Sequence, residues 1–169
     1  MPPKTGLTQH VAHTAELPPL VLYQLLKLRV DVFVVEQRCA YPELDGRDIE
    51  PDARQLLLSR GDTVVACLRL LDEPGGGAEP TARIGRVAVA ATERGRGHAG
   101  RLVEAALRLA AGRPCVLDAQ AHLTGLYARY GFVVVGPEYL EDGIWHAPMR
   151  RAADPVGAVH SAGPDRRGT

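Results

Sequence analysis

The chain has no surplus of charge: 20 Lys and Arg residues stand against 20 Asp and Glu residues, for a formal net charge of +0. That absence argues against nucleic acid or an anionic membrane as the main partner, because both are held through summed positive charge. Cysteine is sparse. Cys39, Cys67 and Cys115 lie far apart with no CxxC pair, which excludes a disulfide framework and fits reduced thiols in a reducing compartment. Ser59 and Ser161 are the only serines, the first in an expected hairpin and the second near the C-terminus, so a serine hydrolase is excluded. The 6 histidines, His10, His13 and His160 among them, form no ligand-spaced cluster, and no metal is expected. No run is long enough to span a bilayer, and the N-terminus lacks an apolar signal core. A cytoplasmic chain without membrane contact is expected.

What is present is a hydrophobic fraction of 46% in 169 residues, enough for one packed domain. Residues 1–16 are polar and unpatterned and read as a flexible arm. Residues 152–169, rich in Gly, Pro, Ala and charge, read as a disordered tail. The domain is therefore expected over 17–151. Pro18 and Pro19 open a helix with Leu22, Leu25, Leu26 and Phe33 near one face. RQLLLS and TVVACLRLL flank a short turn and read as a hairpin. TARIGRVAVA is a third strand. After it, Leu102, Val103, Ala106, Leu109 and Ala110 share one helix face, opposite Arg101, Glu104 and Arg108. CVLDA is a short strand, Leu123, Leu126, Tyr127 and Tyr130 stripe another helix, and VVV and IWHAPMR close the chain. That order predicts a mixed α/β sheet rather than a regular βαβ repeat.

Residues 93–100, ERGRGHAG, sit where a strand hands over to a helix. Unpaired amides, the helix dipole and flexible glycines make such a place an anion site, and Arg94 and Arg96 add charge suited to phosphate. A Walker loop fails, because Gly100 is followed by Arg101 and Leu102 rather than by Lys and Ser or Thr. Gly95, Gly97 and Gly100 match GxGxxG, with Asp118 ending a strand near the distance a dinucleotide fold requires. Against that reading, AATER separates the strand from the first glycine, and the remaining chain is short for further βαβ units.

Arg94 to Ala99 resembles the pyrophosphate loop of the GNAT N-acetyltransferases, whose pattern is Q/R-x-x-G-x-G/A. LYARYGF (126–132) is similar to that superfamily's helix-to-strand motif. LKLRVDVFVVEQRCAYPELDGRD, AQAHLTGLYARYGF and YLEDGIWHAPM resemble its ElaA-like branch, over roughly residues 20–150. The resemblance implies a GNAT acyl-CoA N-acyltransferase fold, a central, mostly antiparallel sheet flanked by helices. It implies acetyl-CoA as co-substrate, an amine acceptor, small or peptidic, and a possible homodimer.

Carried over residue by residue, the resemblance puts the pyrophosphate on the amides of Gly95, Arg96, Gly97, His98 and Ala99, with Arg94 and Gly100 completing the loop. His98 itself reads as a solvated loop residue. The pantetheine arm would lie along Val87, Ala88 and Val89, and Gln120 would contact the cofactor. Tyr127 takes the place of the general acid. Some relatives carry a glutamate on the strand before the loop, but TARIGRVAVA has no acid. Glu36 and His146 are therefore the candidate bases. Glu43, Asp45 and Asp48 in an acidic loop would attract a cationic amine. Gln55, where relatives often show His, and Trp145, where Pro is frequent, would reshape the acceptor pocket. Two other readings stay open: a dinucleotide-binding oxidoreductase, and a catalytically silent acyl-CoA-binding module.

Overall fold

The hairpin expected from RQLLLS and TVVACLRLL forms in the middle of the sheet. In the computed structural model, which describes residues 6–74 and 80–155, β2 (Arg54–Arg60) and β3 (Thr63–Glu73) pair antiparallel around Gly61 and Asp62. β3 is buried on both faces from Val64 to Leu71, because α1 (Pro19–Val30) covers one side and α2 (His98–Ala110) the other. The strand order is β1-β2-β3-β4-β5-β8-β6, with β7 paired to β8. Here β1 is Leu7–His13, β4 Thr81–Val89, β5 Cys115–Gln120, β6 Val133–Val134, β7 Tyr139–Glu141 and β8 Ile144–Arg151. Every pairing is antiparallel except β4 with β5.

Several expectations need correction. The flexible arm over 1–16 does not hold for its described part: Leu7 to His13 pair along the whole of β2, from Leu7↔Arg60 to His13↔Arg54. An edge strand needs only a neighbour's free backbone groups, so its side chains carry a weak alternation signal. The tail begins docked, since the Asp154 amide donates to the Gly112 carbonyl at 2.9 Å and Arg151 pairs with Asp154 at 2.6 Å. Residues 1–5, 75–79 and 156–169, which include the rest of the expected arm and tail, lie outside the described residues. GPEYLEDG contains β7 rather than a plain connection.

α1 does not end at Val30 but runs on as a π-helical segment, Asp31–Glu36. Leu25, Leu28 and Val32, spaced i, i+3 and i+7, form the buried face, while Leu22 and Phe33 only pack at its margin. On α2 the buried stripe holds Leu102, Val103, Ala106 and Ala110, whereas Leu109 is 39% exposed. α3 is one short turn, Thr124–Ala128.

Candidate active site

β4 and β5 touch over only two residue pairs, Ala82↔Cys115 and Arg83↔Val116, and then separate. The divergence is what makes the site. Beyond it β4 stays paired with β3 on one side, Cys67 with Ala88 and Ala66 with Val89, and its other edge borders a cleft of about 560 Å³. A β-bulge between Gly85 and Ala88, with Arg86 at φ 52°, twists this half of β4 away from β5. Val87, Ala88 and Val89 all line the cleft.

At one end of the cleft the chain turns through Gly95 (φ 75°) and Gly97 (φ 78°) into α2. Only glycine adopts such a backbone without strain. The α2 chain amides start pairing at Arg101, whose N–H reaches the Gly97 carbonyl, so the first-turn amides remain available to a ligand. The loop's shape comes from Glu93. Its buried carboxylate accepts two bonds from Arg60 of β2, at 2.8 and 2.9 Å, and faces His98 Nε2 at 3.0 Å. Those partners, Arg60 first, pull the Glu93 pKa down to about 2. His98 is thus buried rather than solvated. At Gly100 an added Cβ would meet the Tyr130 hydroxyl at 2.1 Å, so the missing side chain lets the aromatic close on α2.

Arg94, Gly95, Gly97, His98, Ala99 and Gly100 line the cleft, but Arg96 does not; it points outward, 3.6 Å from Glu93. Arg94 bonds the Val89 carbonyl at 3.1 Å and grips Glu36 of the π segment at 2.6 and 2.9 Å. That guanidinium holds the Glu36 carboxyl below its usual range, which makes Glu36 a poor base. The next residue, Gln37, bonds Gln120 of β5 in both directions, at 3.0 and 3.4 Å. Neighbouring residues thereby tie the π segment to both walls of the cleft.

Tyr127 lines the same cleft from the α3 side and is 6% exposed. Its ring meets Phe132 edge-on at 6.2 Å, and burial pushes its phenol up to about 12. The hydroxyl is therefore protonated throughout the neutral range and keeps a proton to give. His146 also lines the cleft; its Nδ1 lies 2.8 Å from the Ile144 carbonyl oxygen, and its ring stacks on Tyr139.

The acidic loop does something other than expected. Glu43, Asp45 and Asp48 do not line the cleft. Arg29 of α1, fully buried, bonds Glu43 at 2.9 and 3.0 Å and Asp48 at 2.6 and 3.0 Å. Arg69 of β3 grips Asp45 at 2.8 and 2.9 Å, and Arg86 in the bulge pairs with Glu43 at 2.7 Å and Asp45 at 3.2 Å. Glu43, Asp45 and Asp48 thus face three arginines and carry no spare charge to draw in an amine. They brace the β4 bulge instead. Gln55 is buried against Asp48, and neither it nor Trp145, 55% exposed, lines the cleft.

Sequence reasoning missed Arg86, Gln37 and Tyr139, and gave Asp118 a role only in the dinucleotide reading. Gln37 directly follows Glu36 within the VVEQ block and could have been found there. A left-handed arginine inside a strand leaves no sequence signal. The single parallel strand pair also removes the dinucleotide reading, which needs successive parallel βαβ units. Among the described residues, no group of three or more His, Cys, Asp or Glu is placed to hold a metal, and no helix is long and apolar enough to cross a membrane.

Comparison with known proteins fits this geometry. The Acetyltransferase (GNAT) domain family matches residues 29–153. A UPF0039 protein of Mycobacterium tuberculosis is 53% identical over 137 residues, 80% of this chain and 87% of that one. Protein ElaA of Escherichia coli is 41% identical over 143 residues, 82% of this chain and 92% of that one. Among solved structures, an acyl-CoA N-acyltransferase from Pseudomonas aeruginosa superposes with a TM-score of 0.79 at 44% identity, covering 87% of this chain and 100% of that one. The crystal structure of Escherichia coli ElaA also gives 0.79, at 37% identity, covering 86% and 99%.

Proposed function

The chain belongs to the GNAT acetyltransferase family, and on that footing we propose that it is an N-acetyltransferase that passes an acetyl group from acetyl-CoA to a primary amine by direct attack. The observation that carries the reading is the parting of β4 from β5, with a glycine-turned helix N-terminus at one end of the gap and a buried tyrosine facing its middle.

The residues present fit a coenzyme A ester. The unpaired edge at Val87, Ala88 and Val89 can pair with an extended amide-bearing arm as a further strand would. The loop amides from Gly95 to Ala99, and the α2 N-terminus behind them, suit a pyrophosphate. Gln120, already bonded to Gln37, offers a polar contact along the same path. The bound thioester supplies an activated acyl carbon and a thiolate leaving group. A backbone N–H on the open β4 edge would polarise the thioester carbonyl, a dipole fixed before reaction begins. Tyr127 donates its phenolic proton to the sulfur as the C–S bond breaks and the N–C bond forms.

The acceptor must lose a proton before it attacks, because a primary amine near pKa ~10 is mostly ammonium at neutral pH. His146 is the base this geometry favours, since Arg94 occupies Glu36. All three cysteines are free and buried, which supports a cytoplasmic setting.

The test is calorimetric titration with acetyl-CoA, NAD and FAD in parallel, repeated on Ala99→Glu, which puts bulk and negative charge at the helix start. Binding of acetyl-CoA alone, weakened at least tenfold in the variant, supports the reading; preference for a dinucleotide overturns it. A catalytically silent module would bind acetyl-CoA yet release no thiol with any amine.

A further inference from the structure

The pairing of β5 with β8 sets Gln120 opposite His146 and Asp118 opposite Pro148, and β7 sets Tyr139 opposite His146. Paired residues, and alternate residues along a strand, share one face of a sheet. Asp118, Gln120, Tyr139 and His146 therefore form a single polar platform. The bond from Gln120 to Gln37 shows that this face looks toward the π segment, on a cleft that Tyr127 also lines.

His146 is held at two points. A carbonyl oxygen can only accept, so the 2.8 Å contact with Ile144 requires the hydrogen on Nδ1, and the neutral ring keeps its lone pair on Nε2. Among the described residues, no hydrogen bond engages Nε2. The second hold is the Tyr139 ring, stacked at 5.8 Å and 21°. Tyr139 sits opposite His146 on β7, and Asp118, on the same face, is paired by Arg83 at 2.8 Å. One hydrogen bond alone leaves the imidazole free to rock about that contact; the stacked ring fixes its plane.

We propose that Tyr139 is the positioning residue of this site, its stacked ring holding the His146 imidazole so that Nε2 faces the acceptor amine and takes its proton; this rests on the reading of His146 as the base. Nε2 gains that proton to give imidazolium and later releases it to solvent, leaving the amine lone pair to form the new N–C bond.

The titratable groups around His146 come from three sides. Asp118 is on β5, and Tyr139 and Glu141 are on β7. Asp142 lies in the hairpin turn, where its carbonyl accepts the Cys39 thiol at 3.1 Å. Across the cleft stand Glu36, held by Arg94, and Tyr41 under the Arg86 guanidinium.

Two measurements on the full chain test this. Long-range ¹H–¹⁵N imidazole spectra report the tautomer without any substrate: wild type shows the Nδ1–H form of His146, Tyr139→Leu a mixture, and Tyr139→Phe mostly the wild-type form. Thiol release from acetyl-CoA with benzylamine, putrescine and lysine methyl ester reports the rate. Tyr139→Leu is expected to lower kcat by about tenfold, a fraction of a general base's usual contribution, with the KM for acetyl-CoA unchanged, while Tyr139→Phe recovers most of the rate. Wild-type spectra and kcat in Tyr139→Leu overturn the proposal. Should that variant not fold, Tyr139→Met removes the stacked ring with less loss of volume, and unchanged spectra and rate there overturn it equally. If His146→Gln retains the acidic limb of the kcat profile, His146 is not the base. That outcome sinks the underlying reading, whatever the spectra of the Tyr139 variants show.

Discussion

Glu36 and Arg94, 58 residues apart in sequence, hold one another across the mouth of the cleft through two contacts of 2.6 and 2.9 Å. Each was a candidate for separate work, the acid as base and the guanidinium as phosphate ligand, and each occupies the other. The pair is about half exposed, and exposed pairs are worth roughly 0–1 kcal/mol, so an arriving pyrophosphate can take over Arg94. Arg94→Ala is expected to raise the Kd for acetyl-CoA by about tenfold, the equivalent of ~1.4 kcal/mol. Glu36→Gln should alter kcat far less than His146→Gln does. Calorimetry and steady-state rates on the two variants check both statements.

Tyr127→Phe removes an oxygen with no hydrogen bond among the described residues, so thermal stability should barely move. The expected loss is in turnover, about 10²-fold in kcat with the KM for acetyl-CoA little changed, as befits a group that acts only as the thiolate leaves. Because burial raises the phenol to about 12, an alkaline limb of the rate profile well below that pH belongs to another group.

Glu93 links stability to acid. Its folded pKa, about 2, lies below the ordinary 4.5, so the folded state favours the ionised form. That contribution is complete above about pH 4.5 and is lost as pH falls toward 2. Urea midpoints followed across this range should drop steeply for wild type. In Glu93→Gln the part of the slope due to this carboxylate should vanish, and acetyl-CoA affinity should fall with it as the loop loosens.

Arg29 is the most consequential charge outside the cleft. It is 0% exposed and binds both Glu43 and Asp48. Arg29→Met leaves two buried carboxylates without their main partner, a loss expected to cost about 3–5 kcal/mol. Chemical denaturation measures it. Since Glu43 also holds Arg86 in the β4 bulge, the variant should further weaken acetyl-CoA binding under conditions where it remains folded.

Much of the fold was legible in residues close together in the chain. Leu102, Val103, Ala106 and Ala110 announce α2 because helical spacing brings them to one face. Gly95 and Gly97 announce the turn because few other residues take their dihedrals. The β2–β3 hairpin is equally local. β1 was illegible, since LTQHVAH becomes a strand only where β2 offers it an open edge. β7 was hidden too, its three residues being recognisable only by their pairing with β8.

At the site, the sequence by itself determined the glycine-turned helix start and the tyrosine-bearing turn that follows β5, because both depend on neighbours within a few positions. Tertiary structure decided what the charged and polar residues do. Glu43, Asp45 and Asp48 read as bait for a cationic substrate until α1, β3 and β4 bring Arg29, Arg69 and Arg86 to them. Tyr139 read as part of a loop until β8 set it against His146. Backbone preference acts locally, whereas a charge takes its role from whichever partner the folded chain places within a few ångströms, and no stretch of sequence states that distance.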